Sequence, residues 1–188
     1  MADVKSNSKF CAFFPLDTNF HIRGDHHQPT ISKIRQTYPP ERLEESTMSK
    51  KLYWANALFS EADRNFNEVE VAKVRAAGYS VFLPQEAFSG DADPTNEEIF
   101  RVDTEELQSC DAIVACLDQF PIDSGVACEI GVAYASRIPV IGLYTDIRSR
   151  RKGAGRMYKN QYVLGAIEAR GEIVYDIDQL LETLPKYI

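Results

Sequence analysis

The sequence predicts an α/β domain, a parallel sheet of five strands with helices on both faces. Two observations carry this. From Lys51 onward, short apolar runs alternate with segments of helical period in the order β, α, β, α, β, α, β, α, β, α, with no internal repeat. The joints between them carry capping and breaking residues, among them Ser60, Gly78, Pro84, Thr95, Gly171 and Pro185.

In chain order, KLYWANALF opens with a strand, and Ser60 with Asp63 resembles a helix-capping pair. The following helix shows an apolar stripe through Phe66, Val69, Ala72, Val74 and Ala76, and stops at Gly78. Residues 79–83 form a second strand closed by Pro84, which completes a βαβ unit. After the loop SGDADPTN, Thr95 and Glu98 have true capping-box spacing, which predicts a helix over 96–109. Residues 112–117 form a third strand, a small-residue helix follows from about Val126, and 138–144 form a fourth strand. The segment DIRSRRKGAGRMYKN reads as a solvated basic loop, because it lacks the P-loop order of glycines followed by Lys and Ser or Thr. A helix over 160–169, a strand over 173–175 and a helix over 177–184 complete the chain.

Composition bounds the function. With 188 residues, 44% hydrophobic and 26% charged, the chain can bury one core. Residues 1–50 lack a sustained period, carry four prolines and read as an N-terminal extension, leaving 51–188 as the folded domain. The extension holds seven basic and six acidic residues; subtracting that +1 from the net −7 leaves −8 for 51–188, which disfavours a nucleic-acid polymer as partner. No stretch reaches membrane-spanning length, and residues 10–16 lack a signal-peptide pattern. Cys11, Cys110, Cys116 and Cys128 show no paired metal spacing and read as reduced thiols of a cytoplasmic protein. His21, His26 and His27 lack the further ligands of a metal set, so neither a metal nor another cofactor is implied.

In open parallel sheets ligands bind beyond the carboxyl ends of the strands, where the strand order reverses. That rule gathers Tyr53 and Asn56 after strand one, Gln85 after strand two, Asp118 and Asp123 after strand three and Asp146 after strand four. Glu129 looks into the same crevice. It is the sole charged residue between Asp123 and Arg137, and its helical neighbours are Gly125, Val126, Val132 and Ala133. A capping box does not explain it, because the reciprocal position would be Val126 or Ala127. Converging carboxylates suggest retaining glycosyl transfer, one attacking the anomeric carbon and another acid protonating the leaving group. Glu129 and Asp123 could meet that need, with the helix N-terminus holding Glu129 ionised. Asp103, four residues from both Ile99 and Leu107, points near a buried face, a position a solvated edge residue would also take. Cys128 lacks a histidine base after residue 27 and reads as a small buried residue.

YWANALFSEADR, FLPQE and DSGVACEIGVAYA, in this order, resemble the nucleoside 2-deoxyribosyltransferase family over roughly residues 51–173. The resemblance implies a flavodoxin-like doubly wound sheet and exchange of the base of a 2'-deoxyribonucleoside through a covalent deoxyribosyl-enzyme intermediate. It places the nucleophile on Glu129, the sugar-hydroxyl contact on Asp123 and the acid facing the base on Asp103. It also makes Tyr53 the residue that positions the nucleophile, Gln85 a base-side contact and Asn160 a substrate contact from an adjoining subunit. Proton donation thus moves from Asp123 to Asp103. The implied partners are 2'-deoxyribonucleosides, free purine or pyrimidine bases and further copies of the chain, in a homo-oligomer with shared sites. Two alternatives remain: an N-glycosidase of deoxynucleoside 5'-monophosphates, favoured by the basic loop from Arg148 to Arg156, and a non-catalytic nucleoside or nucleotide sensor.

Overall fold

The computed structural model describes residues 49–88, 92–150 and 159–188, with 149 and 150 described by backbone alone. The three histidines, Cys11 and all but the last two residues of the expected extension lie outside these, as does 151–158 of the basic loop. The elements are β1 (Lys51–Ala55), α1 (Glu61–Ala76), β2 (Ser80–Phe82), α2 (Asn96–Gln108), β3 (Ala112–Cys116), α3 (Ser124–Ala135), β4 (Val140–Leu143), α4 (Gln161–Glu168), β5 (Ile173–Val174) and α5 (Ile177–Thr183). Single 3-10 turns follow β2, β4 and α5. Every strand pair is parallel, and the five-stranded sheet runs β2-β1-β3-β4-β5. This is the flavodoxin-like order, with its switch point between β1 and β3.

The alternation of each strand divides the core into two apolar layers. Tyr53, Ala55, Ile113 and Ala115 face one layer, where they meet Leu107 of α2, Val126 and Ile130 of α3, and Leu164 and Ile167 of α4. Leu52, Trp54, Val114 and Ile141 face the other, against Val71 and Val74 of α1 and Leu180 of α5. The central strand β3 is buried at all five positions, which explains its unbroken apolar sequence. No helix among the described residues is long and apolar enough to cross a membrane.

Capping sets the helix starts. Ser60 accepts from the Asp63 N–H, Thr95 and Glu98 form the reciprocal box, and Asp123 accepts from the N–H groups of Gly125 and Val126. The expected stripe on α1 needs correction. Val69 is exposed, and the buried face is Asn67, Val71 and Val74, which share a helical face with a polar residue at its head. Strand bounds are also tighter than the apolar runs. Ile138 is buried outside β4 because it closes the turn from α3, its N–H donating to the Ala133 carbonyl, with Arg137 left-handed at φ 64°. Gly171 is required by close approach, since a Cβ there would lie 1.9 Å from the Val140 carbonyl oxygen.

Candidate active site

Between α2 and α3 lies a cleft of about 250 Å³ whose apolar walls include Ile99, Leu107 and Val132. Two carboxylates line it, Asp103 from α2 and Glu129 from α3. From beneath, Tyr53 of β1 donates its phenolic O–H to Glu129 Oε1 at 2.6 Å. The Tyr53 ring is fully buried and stacks on Phe82 of β2, with centroids 5.5 Å apart and planes at 27°. Tyr53 therefore does not end its strand, as the sequence suggests, but sits in the middle of β1. Its length carries the hydroxyl across the core layer to the helix above.

Burial dominates the electrostatics of this trio. It pushes the Glu129 carboxyl up to about 7, the Tyr53 hydrogen bond pulls the other way, and the negative charges of Asp103 and Asp123 add to the rise. The helix N-terminus does not hold Glu129 ionised as expected: Glu129 is in the second turn of α3, and the dipole effect fades within the first. Burial likewise raises the Tyr53 phenol far above its ordinary value, followed in effect by the adjacent Glu129 charge, so Tyr53 remains a donor. Asp103 is raised by burial as well, and its Oδ1 is buried with no hydrogen-bond partner in the protein. An orphaned carboxyl oxygen in an apolar cleft is ready to meet a polar ligand atom.

The remaining expected site residues, Asp123, Gln85 and Asn160, do not line this cleft. Asp123 caps α3 six residues before Glu129 through one oxygen, Oδ1, which leaves acceptor capacity on its carboxylate. Gln85 is outside the cleft lining; its Oε1 accepts from Asn67, and its amide nitrogen donates to Glu68 Oε1 and the Arg64 carbonyl. Asn160 is exposed and caps α4 by accepting from Tyr162 and Val163 N–H groups. Asp118 ties the ends of β3 and β4 together, accepting from the N–H groups of Thr145 and Asp146 and from the Thr145 hydroxyl. Asp146 engages Arg148, which holds its carboxyl low, at about 2. Cys128 is not buried: it is exposed and lines the cleft beside Glu129. Among the described residues no cluster of three or more His, Cys, Asp or Glu side chains could hold a metal ion.

Two residues escaped the sequence reading. Asn67, almost wholly buried, accepts from Trp54 Nε1 and Asn56 Nδ2, and donates to the Ala57 carbonyl and Gln85 Oε1. Lys159 is buried between the loops that leave β3 and β4. The spacing of Asn67 from Val71 and Val74 was the available signal for the first; nothing in the pattern marked the second.

The family model described as nucleoside 2-deoxyribosyltransferase matches residues 52–175. A conserved protein from Enterococcus faecalis V583 of known crystal structure is 34% identical, with a TM-score of 0.68, covering 75% of this chain and all of its own. The 2-deoxyribosyltransferase from Bacillus psychrosaccharolyticus is 20% identical over 70% of this chain and 90% of its own, with a TM-score of 0.57, a likeness of fold. A CMP N-glycosidase from Clostridium botulinum is 16% identical over 74% of this chain and all of its own, with a TM-score of 0.47. No curated protein sequence matches the chain. The family match spans the sheet from β1 to the end of β5 and includes Tyr53, Asp103 and Glu129, so the chain belongs to the nucleoside 2-deoxyribosyltransferase family.

Proposed function

We propose that this protein transfers a 2-deoxyribosyl group from one nucleobase to another by a retaining ping-pong mechanism. The observation that carries the reading is the Tyr53–Glu129 hydrogen bond of 2.6 Å at a cleft that Asp103 also lines. The ionised Glu129 carboxylate attacks the anomeric carbon of a 2'-deoxyribonucleoside while the bond to the base breaks. The bonding pair leaves with the base, whose nitrogen takes a proton from Asp103. A second base then attacks the same carbon, returns its proton to Asp103 and releases the Glu129 carboxylate. Two inversions retain the configuration. Tyr53 steers the carboxylate and steadies its charge, and Asp123 holds the 5'-hydroxyl side of the sugar.

Gln85 would reach the base by turning from its partners on α1, and Asn160 would meet a substrate held by a neighbouring copy in a homo-oligomer. Residues 1–50 act as an extension of this cytoplasmic catalytic domain. The rival substrate, a deoxynucleoside 5'-monophosphate, would draw on the basic loop 148–156, of which Arg148 is engaged by Asp146.

The test is a panel with deoxyinosine or thymidine as donor and adenine or cytosine as acceptor, run beside the donor 5'-monophosphates. Exchange by the wild type and its loss in Glu129→Ala support the transferase. Base release from the monophosphates alone would show a hydrolase instead, and saturable binding with no base released would show a sensor.

A further inference from the structure

Lys159 is a buried ammonium placed where the strand ends meet. Its residue exposure is 8%, and its Nζ donates to the carbonyl oxygens of Gln119 at 2.6 Å and Asp118 at 3.3 Å. The same nitrogen lies 5.6 Å from the centre of the Phe120 ring and 5.1 Å from that of Tyr144. Burying an ammonium is costly, and here two carbonyl dipoles and two aromatic faces offset that cost. Burial holds the Lys159 ammonium below its ordinary value, and the charges of Asp118 and Asp146 act against that while Arg148 acts with it.

The contacts converge on the loop between β3 and α3. In that loop Asp118 is tied to the end of β4, and the Gln119 side chain donates to Asp63 of α1. It ends at Asp123, the cap of α3, six residues ahead of Glu129. Side-chain anchors thus hold the loop at Asp118 and Gln119, and Lys159 alone among the described residues grips both of their backbone carbonyls by its side chain. Lys159 also directly precedes Asn160, so one short segment both clamps this loop and caps α4.

We propose that Lys159 is a positioning residue that sets the path of the β3–α3 loop and thereby places Asp123 against the sugar. It touches neither the reacting atoms nor the base. Its effect on substrate rests on the transferase reading above; its effect on the loop does not.

Lys159→Met keeps most of the stem and removes the donors, and Lys159→Arg keeps charge and donors. Hydrogen exchange of the full-length protein, read on peptides spanning 117–126, is expected to quicken about tenfold in the Met variant and much less in the Arg variant, with β1 and α1 peptides unchanged. Unchanged exchange in the loop, or an equal rise throughout the domain, would overturn the proposal whatever the activity. For the substrate link, kcat/KM for a 2'-deoxynucleoside is expected to fall about tenfold in the Met variant, mainly through KM, whereas that for its 5'-deoxy analogue stays close to wild type. Equal losses with both donors would refute placement through Asp123. A wild type that exchanges no base refutes the transferase reading, and the loop exchange still decides the role of Lys159.

Discussion

The Tyr53 hydroxyl, carried on the middle of β1, donates to Glu129 Oε1 on α3 at 2.6 Å. This single bond joins an interior strand of the sheet to the one carboxylate of an otherwise uncharged helix. It also opposes the burial that drives the Glu129 carboxyl up to about 7. One contact thus bears on both the position and the ionisation of Glu129.

Phenylalanine at position 53 tests that contact. Tyr53→Phe keeps the stacking on Phe82 and removes the donor. Hydrogen bonds to charged groups contribute about 1.5–3 kcal/mol, so kcat/KM at neutral pH is expected to fall about tenfold or more. The midpoint of the ascending limb of the pH profile should move upward from about 7, because the bond lowers the Glu129 value. A rate loss with an unmoved midpoint would separate positioning from ionisation and reject the second role.

Glu129 should also weaken the fold as it ionises. Its folded value of about 7 exceeds the ordinary 4.5, so between those pH values the folded state binds more protons than the unfolded one. Stability from this group is present below about pH 4.5 and is lost as pH rises through about 7, on the order of 3 kcal/mol. Glu129→Gln lacks this loss. Urea unfolding at pH 8 should find the variant more stable than wild type by that order, and below about pH 4.5 the two should converge. A variant no more stable than wild type at pH 8 contradicts the burial argument.

Asp103 is expected to matter in proportion to how much the leaving base needs a proton. Asp103→Asn should lower exchange from ordinary deoxynucleosides by about 100-fold or more. A donor whose purine is methylated at N7, and so already carries positive charge, should lose far less. Equal losses with both donors would assign Asp103 to binding alone.

Asn67 is saturated, with two donors on its oxygen and two acceptors on its nitrogen. Asn67→Ala would leave Trp54 Nε1 and the Ala57 carbonyl without that partner, at about 1–3 kcal/mol for each buried group. The unfolding midpoint should fall accordingly. Asn67→Asp should not restore it, since a carboxylate cannot donate to the Ala57 carbonyl or Gln85 Oε1.

The architecture was legible because strands buried on both faces leave unbroken apolar runs, as in β3, and because caps such as Thr95 with Glu98 have fixed spacing. Glu129 was legible as a charge without a local reason. Legibility failed where period and polarity conflict. Asn67 lies on the buried face of α1, yet a polar residue in a stripe reads as solvent-facing, which makes the exposed Val69 look like the core position. Helix α3 is small and apolar nearly all round, and such a helix does not say which way Cys128 points. The full reach of Tyr53 depends on the distance between a sheet and the helix above it, and no pattern within β1 encodes that distance. The Lys159 clamp joins residues forty positions apart in sequence through backbone carbonyls, which leave no trace in side-chain type.

The covalent intermediate is the most direct test of the account. Wild-type protein mixed with deoxyinosine in the absence of an acceptor base, quenched in acid and weighed intact, is expected to gain the mass of one deoxyribosyl group. Peptide fragmentation should place it on Glu129, and adding adenine before the quench should remove it and yield deoxyadenosine. Base exchange that proceeds without such an adduct, or that survives in Glu129→Ala, would contradict the assignment of Glu129 as nucleophile.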